Sequence, residues 1–471
     1  MVKKIYKKIY KKIINKIKFL TFILNEKTNG DPVSNQIRSI EKINRNKESL
    51  IKSKINNLYQ KNHNHPLACY YQSDFNVSHD PERAYEQIKK FDQIRSKWLK
   101  DKSLNFLENE FIPTQQVIGS IGNYRALFKY LMYKINIEGS KKKPILLLKD
   151  KEKINNNFLY SFFKPHLKII QNTSLFYKFN YEYNILKTPI EIALPYKNFY
   201  YPFCIAENFM LQSMQKLNKP KFSSFKLSDE NYKKGKEILK KMNIPDDAWY
   251  VTLHIREGKG HKNRNSNPLT YIKTINEITS RGGFVIRVGD SSMTPLPKVK
   301  GLIDYPFTEF KSEFMDVFLA ATNRFCLGTS SGYWTISTYF GKPILLVNFL
   351  PTLEYFGLSK NILFLPKHLV DKNTKKAIPL ENLYSLPTGF IIDDKQYVKK
   401  NIKIIDNSED EILQAAKEML DILDNKQLND NFKINNTKFK NLVNSQNTNR
   451  FEFPVKAIAN VSSSYLNKYL N

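Results

Sequence analysis

Two short segments of this 471-residue chain carry residue types that could hold a phosphate group. In the first, His254-Ile255-Arg256-Glu257, alternation along an extended strand puts His254 and Arg256 on one face. Arg256 offers a planar, permanently charged fork suited to phosphate oxygens. The competing reading is a strand-end arginine paired with a carboxylate such as Glu257. The second segment, Gly328-Thr329-Ser330-Ser331-Gly332, links an apolar strand to a helix. Small residues let the backbone approach a ligand, a helix N-terminus offers N–H groups to an anion, and the hydroxyls of Thr329, Ser330 and Ser331 could add donors. The same hydroxyls could serve simply as helix caps. Gly289-Asp290 ends another strand. Glu257 and Asp290 are by position the candidate general bases, with a surface or supporting role as the alternative. The pattern is neither a Walker loop, which requires Gly-Lys-Ser/Thr, nor a GxGxxG dinucleotide turn; Gly258-Lys259-Gly260 is only superficially similar. The following HKNRNSN segment, with His261, Lys262 and Arg264, reads as a mobile loop able to close over a ligand, or as a solvated basic loop.

A parallel sheet is needed to bring these segments together. Ser228 reads as an N-cap, with Tyr232, Ile238, Leu239 and Met242 on one helical face and Pro245 as the stop. Strands are expected at 249–255, 284–288, 324–327 and 344–347, with helices at 269–280, 313–322 and up to Phe340 between them. Four strands alternating with helices make a doubly wound domain, which binds ligands beyond the carboxyl ends of its strands. His254, Arg256, Gly289 and the loop 328–332 all fall on that edge. Ser408 and Glu411 form a capping box that opens a further helix. Nearer the N-terminus, 111–135 reads as a strand, a turn at Gly119 and Gly122, and a helix, followed by a second strand at Ile145–Leu148. The expected organisation is a basic amphipathic helix at 1–24, a linker and helical region at 25–100, a first Rossmann-like domain at 101–225, a second at 226–400, and a strand, helix and tail at 401–471.

Lys and Arg number 75 against 44 Asp and Glu, a formal charge of +31. Such a charge attracts polyanions. However, Lys, Asn and Ile abound even in loops such as NKQLNDNFKINNTKFKN, as codon usage in an AT-rich genome would produce, so nucleic acid is not the expected partner. Residues 1–24 stand apart. Val2, Ile5, Tyr6, Ile9, Tyr10, Ile13, Ile17 and Leu20 recur at helical spacing, with lysines on the opposite face. The segment is too charged to span a bilayer and lacks the apolar core of a signal peptide. It is expected to lie on an anionic membrane surface at the cytoplasmic leaflet, the alternative being a helix packed on its own protein. Cys69, Cys204 and Cys326 are odd in number and widely spaced, which fits a reducing cytoplasm better than a disulfide scaffold or thiolate zinc site. His63 and His65 read as part of a surface loop, and neither metal nor cofactor is expected.

The stretch WYVTLHIREGKGHKNRNSNPLTYIKTINEITSRGGFVIRVGDSSMTPLP, continuing through DVFLAATNRFCLGTSSGYWTISTYFGKP, resembles a family of bacterial glycosyltransferases associated with cell-surface polysaccharides. The resemblance runs from about Gln115 to the C-terminal NVSSSYLNKYL and is strongest over 249–348. More distantly, the His-x-Arg element and the late small-residue loop are similar to those of fucosyltransferases and other GT-B enzymes. This resemblance implies an α/β, GT-B-like fold, with two Rossmann-like domains facing a cleft, the donor on the C-terminal one and the acceptor mostly on the N-terminal one. It also implies that the arginine of His-x-Arg, here Arg256, engages the donor diphosphate. Glu257-Gly258 stand where that pattern often has Gly-Asp, so the base and the donor identity do not carry over. The expected activity is transfer of a sugar from a nucleotide-sugar donor to a cell-surface glycan or lipid-linked acceptor, with the leaving charge stabilised electrostatically. A nucleotide-sugar epimerase or hydrolase on the same fold, or a noncatalytic basic protein on membrane or nucleic acid, are the alternatives.

Overall fold

The computed structural model describes residues 223–350, 359–384, 394–447 and 457–470 in unbroken runs, 116–139, 142–151 and 153–173 upstream, the segment 48–63, and short pieces between. The expected helix at 1–24, together with Cys69 and Cys204, lies outside the described residues. The chain divides into two compact units, one from Met1–Leu104 with Asn180–Pro189, the other from Asn105–Phe179 with Ile190–Asn471. In the first, α1 (Glu48–Lys61) buries Ile55 and Leu58. All elements below belong to the second.

Strand β1 (Phe111–Ile112) leads through a 3-10 turn at Ile121–Asn123 into α2 (Tyr124–Tyr133). Then come β2 (Ile145–Leu148), α3 (Asn157–Phe163) and β3 (Lys168–Gln171). The three strands form a parallel sheet in the order β1-β2-β3. Every residue of β2 is buried, as an Ile-Leu-Leu-Leu run without polar alternation requires. The Asn156 side chain caps α3 by accepting the Leu159 N–H at 2.7 Å. A hairpin of β4 (Ala193–Tyr196) and β5 (Phe199–Pro202) follows.

Ser228 does cap α4 (Asp229–Lys241), its hydroxyl accepting from the Asn231 N–H at 3.3 Å. The helix stops before Pro245 is reached, because Asn243 takes the left-handed conformation at φ 61°. The chain continues through β6 (Tyr250–His254), α5 (Ile272–Ser280), β7 (Phe284–Arg287), β8 (Leu302–Asp304), α6 (Glu313–Thr322), β9 (Phe325–Gly328), α7 (Trp334–Tyr339) and β10 (Ile344–Phe349). It ends with β11 (Ile362–Pro366), β12 (His368–Asp371), β13 (Ile402–Ile405), α8 (Glu409–Leu423), α9 (Asp430–Asn447), β14 (Asn460–Val461) and α10 (Ser463–Leu470). A seven-stranded sheet in the order β14-β11-β10-β9-β6-β7-β8 pairs in parallel throughout. Numbered along the chain, this is the doubly wound 3-2-1-4-5-6 order with one strand added, and it changes direction between β6 and β9. Strands β9, β10 and β11 are buried along their whole length. Each Leu, Ile or Val side chain buried there contributes about 1.5–3 kcal/mol. Segment 401–471 is woven into this fold: β13 pairs with β12, and β14 with β11.

The three-stranded sheet is fastened to the larger one by its helices. Asn157 donates its N–H to the Glu313 carboxylate at 2.9 Å, Phe158 packs on Phe314 at 4.8 Å, and Phe128 packs on Tyr339 at 4.8 Å. Among the described residues no helix is long and apolar enough to cross a membrane.

The C-terminal helix is latched by charge. The Glu411 carboxylate lies 2.8 Å from His368 Nε2, accepts from Lys468 Nζ at 2.6 Å, and completes the capping box with Ser408. Burial alone would raise the carboxyl pKa, but the bonds from His368, Lys468 and the Ser408 N–H outweigh it and hold the group well below the usual carboxylate range. Glu411→Gln should therefore cost about 2–4 kcal/mol near neutral pH. Because the folded pKa is depressed, this stabilisation is complete above the unfolded value, about 4.3, and is lost as pH falls through the folded one. Urea midpoints of wild type and variant should differ at pH 7 and converge in acid. A gap independent of pH would show that Glu411 acts by packing alone.

Candidate functional site

The direction change between β6 and β9 sets the site. Their register places His254 opposite Gly328, so the residues leaving both strands meet at one point of the carboxyl edge. There the Arg256 N–H donates to Thr329 Oγ1 at 3.0 Å, and the Leu350 N–H donates to Ser330 Oγ at 2.7 Å. Thr329, Ser330 and Ser331 are all buried. Two of the three hydroxyls thus stitch strand ends together rather than facing a ligand. Ser331 Oγ is buried with no partner among the described residues. Helix α7 that follows has six residues and sums few peptide dipoles, so the expected helix-end contribution is small.

Arg256 is half-buried and wrapped by its own turn. One Nη2–H donates to Gly260 O at 2.7 Å, and a Cβ at Gly258 would sit 2.8 Å from that nitrogen, so only glycine lets the guanidinium lie there. Arg256 Nε is buried without a partner, and no carboxylate among the described residues pairs with the side chain. Glu257 turns to the other side. It accepts from Arg287 Nη2 at 2.9 Å and from the Thr294 N–H at 3.1 Å. Arg287 is fully buried and also reaches Asp304 at 3.0 Å, which ties together the ends of β6, β7 and β8.

The His254 ring stacks on Tyr333 at 5.7 Å and 10°, and its Nδ1 is buried without a partner. Burial first, and then the nearby charges of Arg287 and Arg256, push the imidazole pKa down to about 4, so it is neutral near pH 7. Asp290 is exposed, and its Oδ1 accepts from the Ser292 hydroxyl and N–H. Those bonds, helped by the charge of Lys311, lower its pKa and keep it ionised. Gly289 before it has φ 152°, and a Cβ there would overlap Met293 Sδ at 2.0 Å.

One side chain absent from the sequence-derived site joins it here. Arg264 Nε donates to Ser330 O at 2.9 Å, laying a second guanidinium along the same loop. The HKNRNSN segment that carries it, expected to be mobile, is bonded in place. The Asn265 amide bridges Gly258 N and O at 3.1 and 2.8 Å, and Lys367 Nζ donates to Asn265 O at 2.6 Å. The three-stranded sheet also reaches this point, since a Cβ on Gly332 would lie 2.7 Å from Gly122 N. Gly332→Ala should cost about 1–3 kcal/mol, because the methyl meets backbone that cannot rotate away. Gly122→Ala, whose Cβ would sit 3.1 Å from Gly332 Cα, should cost less. Urea melts of both variants decide this, and two negligible costs would mean that the loops yield freely.

No group of three His, Cys, Asp or Glu side chains able to hold a metal converges among the described residues. Comparison with known protein families and with curated proteins finds no match. Comparison with solved structures finds two matches. The E. coli ADP-heptose LPS heptosyltransferase II is 10% identical with a TM-score of 0.36, over 64% of this chain and 96% of that one. The family 9 glycosyl transferase from Veillonella parvula is 10% identical with a TM-score of 0.30, over 64% of this chain and 79% of that one. A likeness at this level does not bear on the chemistry.

Proposed function

We propose that the chain is a glycosyltransferase whose β6–β9 switch point binds the phosphate moiety of a nucleotide-sugar donor. The observation that carries this reading is the set of unpartnered buried polar atoms at one point of the sheet edge: His254 Nδ1, Arg256 Nε and Ser331 Oγ. Buried polar groups are ordinarily bonded, and a polar ligand at the switch point of a doubly wound sheet would supply the missing partners. The resemblance of 249–348 to glycosyltransferases supplies the reaction. The acceptor hydroxyl attacks the anomeric carbon, the bond from that carbon to the phosphate oxygen breaks, and its electron pair leaves with the nucleotide. Arg256 stabilises the charge that develops there. Of the two candidate bases, Asp290 is exposed and ionised, whereas Glu257 is engaged by Arg287 and Thr294, which favours Asp290 for taking the acceptor proton. The acceptor, a glycan or lipid-linked glycan, enters from the side of Gly122. No metal or cofactor is required, and residues 1–24 hold the protein on the anionic cytoplasmic face of the membrane.

Incubation with UDP-, GDP-, ADP- and CMP-linked sugars, with and without envelope glycolipid, tests the proposal. Donor should be consumed only when acceptor is present. Consumption without acceptor points to hydrolysis or epimerisation instead, and a protein that neither binds nor consumes any donor is not a glycosyltransferase of this kind.

A further inference from the structure

The edge of the seven-stranded sheet opposite the switch point carries an opening of its own. Strands β6, β9 and β10 lie side by side in parallel, so Trp249, Arg324 and Lys342, which precede them, stand together at the amino edge. With Tyr232 and Lys236 of α4 and Asp246 beyond it, they line a cleft of about 500 Å3. Its cations are not alike. Arg324 is matched, by the Asp424 carboxylate and by the Trp249 ring, whose centre lies 4.4 Å from the guanidinium carbon. Lys236 Nζ donates to the Asp246 carbonyl oxygen at 2.6 Å and pairs with no carboxylate among the described residues. Lys342 is half-buried, its ammonium has neither hydrogen bond nor ion pair among the described residues, and burial lowers its pKa. Lys367 shows the usual arrangement for a buried lysine, donating to Asp406 at 2.7 Å and to Asn265 O at 2.6 Å. The backbone that carries Lys342 is fixed. Its N–H donates to Ser337 O at 3.0 Å, and it stands between Gly341, at φ 70°, and Pro343. An ammonium partly removed from water without a partner destabilises the ligand-free protein, and a bound anion would offset that loss.

We infer that this cleft is a second ligand site, for a small phosphomonoester such as a sugar phosphate, with Lys342 and Lys236 holding the phosphate. It lies at the opposite ends of the strands from the switch point and stands whether or not a donor binds there. The charge balance favours a phosphomonoester. Such a group carries about −1.5 to −2 charge near pH 7, which matches two ammonium groups lacking a carboxylate, whereas a carboxylate or a phosphodiester leaves one unmatched. Lysine binds phosphate as a point charge with three rotatable donors, so neither side chain needs the planar fork of arginine. The Asp246 carboxylate in the same wall is exposed, so water screens its repulsion of an anion. The cleft falls within the size of small-molecule sites, about 300–1,000 Å3. Tyr232, 49% exposed, offers ring surface to the body that carries the phosphate.

Calorimetric titration of the full chain with glucose 1-phosphate, glucose 6-phosphate, glycerol 3-phosphate, inorganic phosphate and glucose tests the inference. At least one of the three phosphomonoesters should bind about tenfold or more tightly than inorganic phosphate, and glucose should not bind. Lys342→Gln and Lys236→Gln each remove a charged hydrogen-bonding group and should weaken that ligand about 10- to 150-fold. Arg256→Ala, at the far end of β6, should change its affinity less than about threefold. Stability gives a separate reading. Lys342→Met removes an unmatched, partly desolvated charge, so the urea midpoint of the ligand-free protein should rise. A midpoint that falls makes Lys342 a structural residue and overturns the inference. Binding that survives Lys342→Gln but is lost in Arg256→Ala places the phosphate at the switch point and overturns it as well. So does wild-type protein that binds none of the phosphomonoesters, or that binds them no better than inorganic phosphate.

Discussion

Replacing Arg256 by Ala should lower the rate of sugar transfer about 10- to 1,000-fold, and replacing it by Lys should restore only part of the loss. The bond that ties β6 to the 328–332 loop uses the Arg256 main-chain N–H, so truncating the side chain leaves that stitch in place. What disappears is the guanidinium, with its buried unpartnered Nε and the Nη2 bond to Gly260 O. A charged hydrogen bond contributes about 1.5–3 kcal/mol, and charge on the leaving phosphate grows as the sugar departs, so turnover should suffer more than donor binding. Lys restores the charge but neither the planar fork nor the fit over Gly258. Steady-state kinetics on variants with wild-type circular dichroism provide the measurement. An Ala variant that transfers sugar within about threefold of wild type, under 1 kcal/mol, would assign Arg256 to the scaffold.

The parts of this fold legible in the sequence are those with local signals. Ser228 and the Ser408–Glu411 box cap helices where the side-chain spacing placed them, and the apolar runs at 250–254, 284–287, 325–328 and 344–349 are strands. Strands β8 and β14 have three and two residues, too few for any periodicity, and β14 reaches its partner β11 only after a long excursion of the chain. The site was legible by residue type but not by partner. Nothing local reveals that the Thr329 and Ser330 hydroxyls are used by Arg256 and Leu350, or that Glu257 belongs to Arg287, 30 residues on. The polar, Asn-rich composition of HKNRNSN suggested motion because its anchors are remote. Asn348 lies 82 residues from Ser266, and Lys367 lies 102 from Asn265. From sequence, Arg264 is named only together with His261 and Lys262 in a loop able to close over a ligand, since a basic residue in a loop stands out from its neighbours only once something fixes it against the rest of the site.

Arg287→Met should cost about 3–5 kcal/mol of stability. Arg287 is fully buried between Glu257 and Asp304, at 2.9 and 3.0 Å, and Asp304 accepts the Leu296 N–H at 2.9 Å as well. Taking the cation away leaves two carboxylates facing each other beside a low-dielectric core, each having lost the group that balanced its desolvation. Removing the whole cluster should be milder than removing its centre. The triple variant Arg287→Met, Glu257→Gln, Asp304→Asn should recover a large part of the loss, because no unmatched charge remains buried. The same series decides what Glu257 does. As a partner of Arg287 it positions the end of β6, so Glu257→Gln should lower the urea midpoint measurably and transfer only about 2- to 10-fold, as expected for a modest displacement of Arg256. Were Glu257 the base instead, the Gln variant would melt like wild type and lose at least about 100-fold in turnover. Melting and kinetics measured on that one variant therefore separate the two roles.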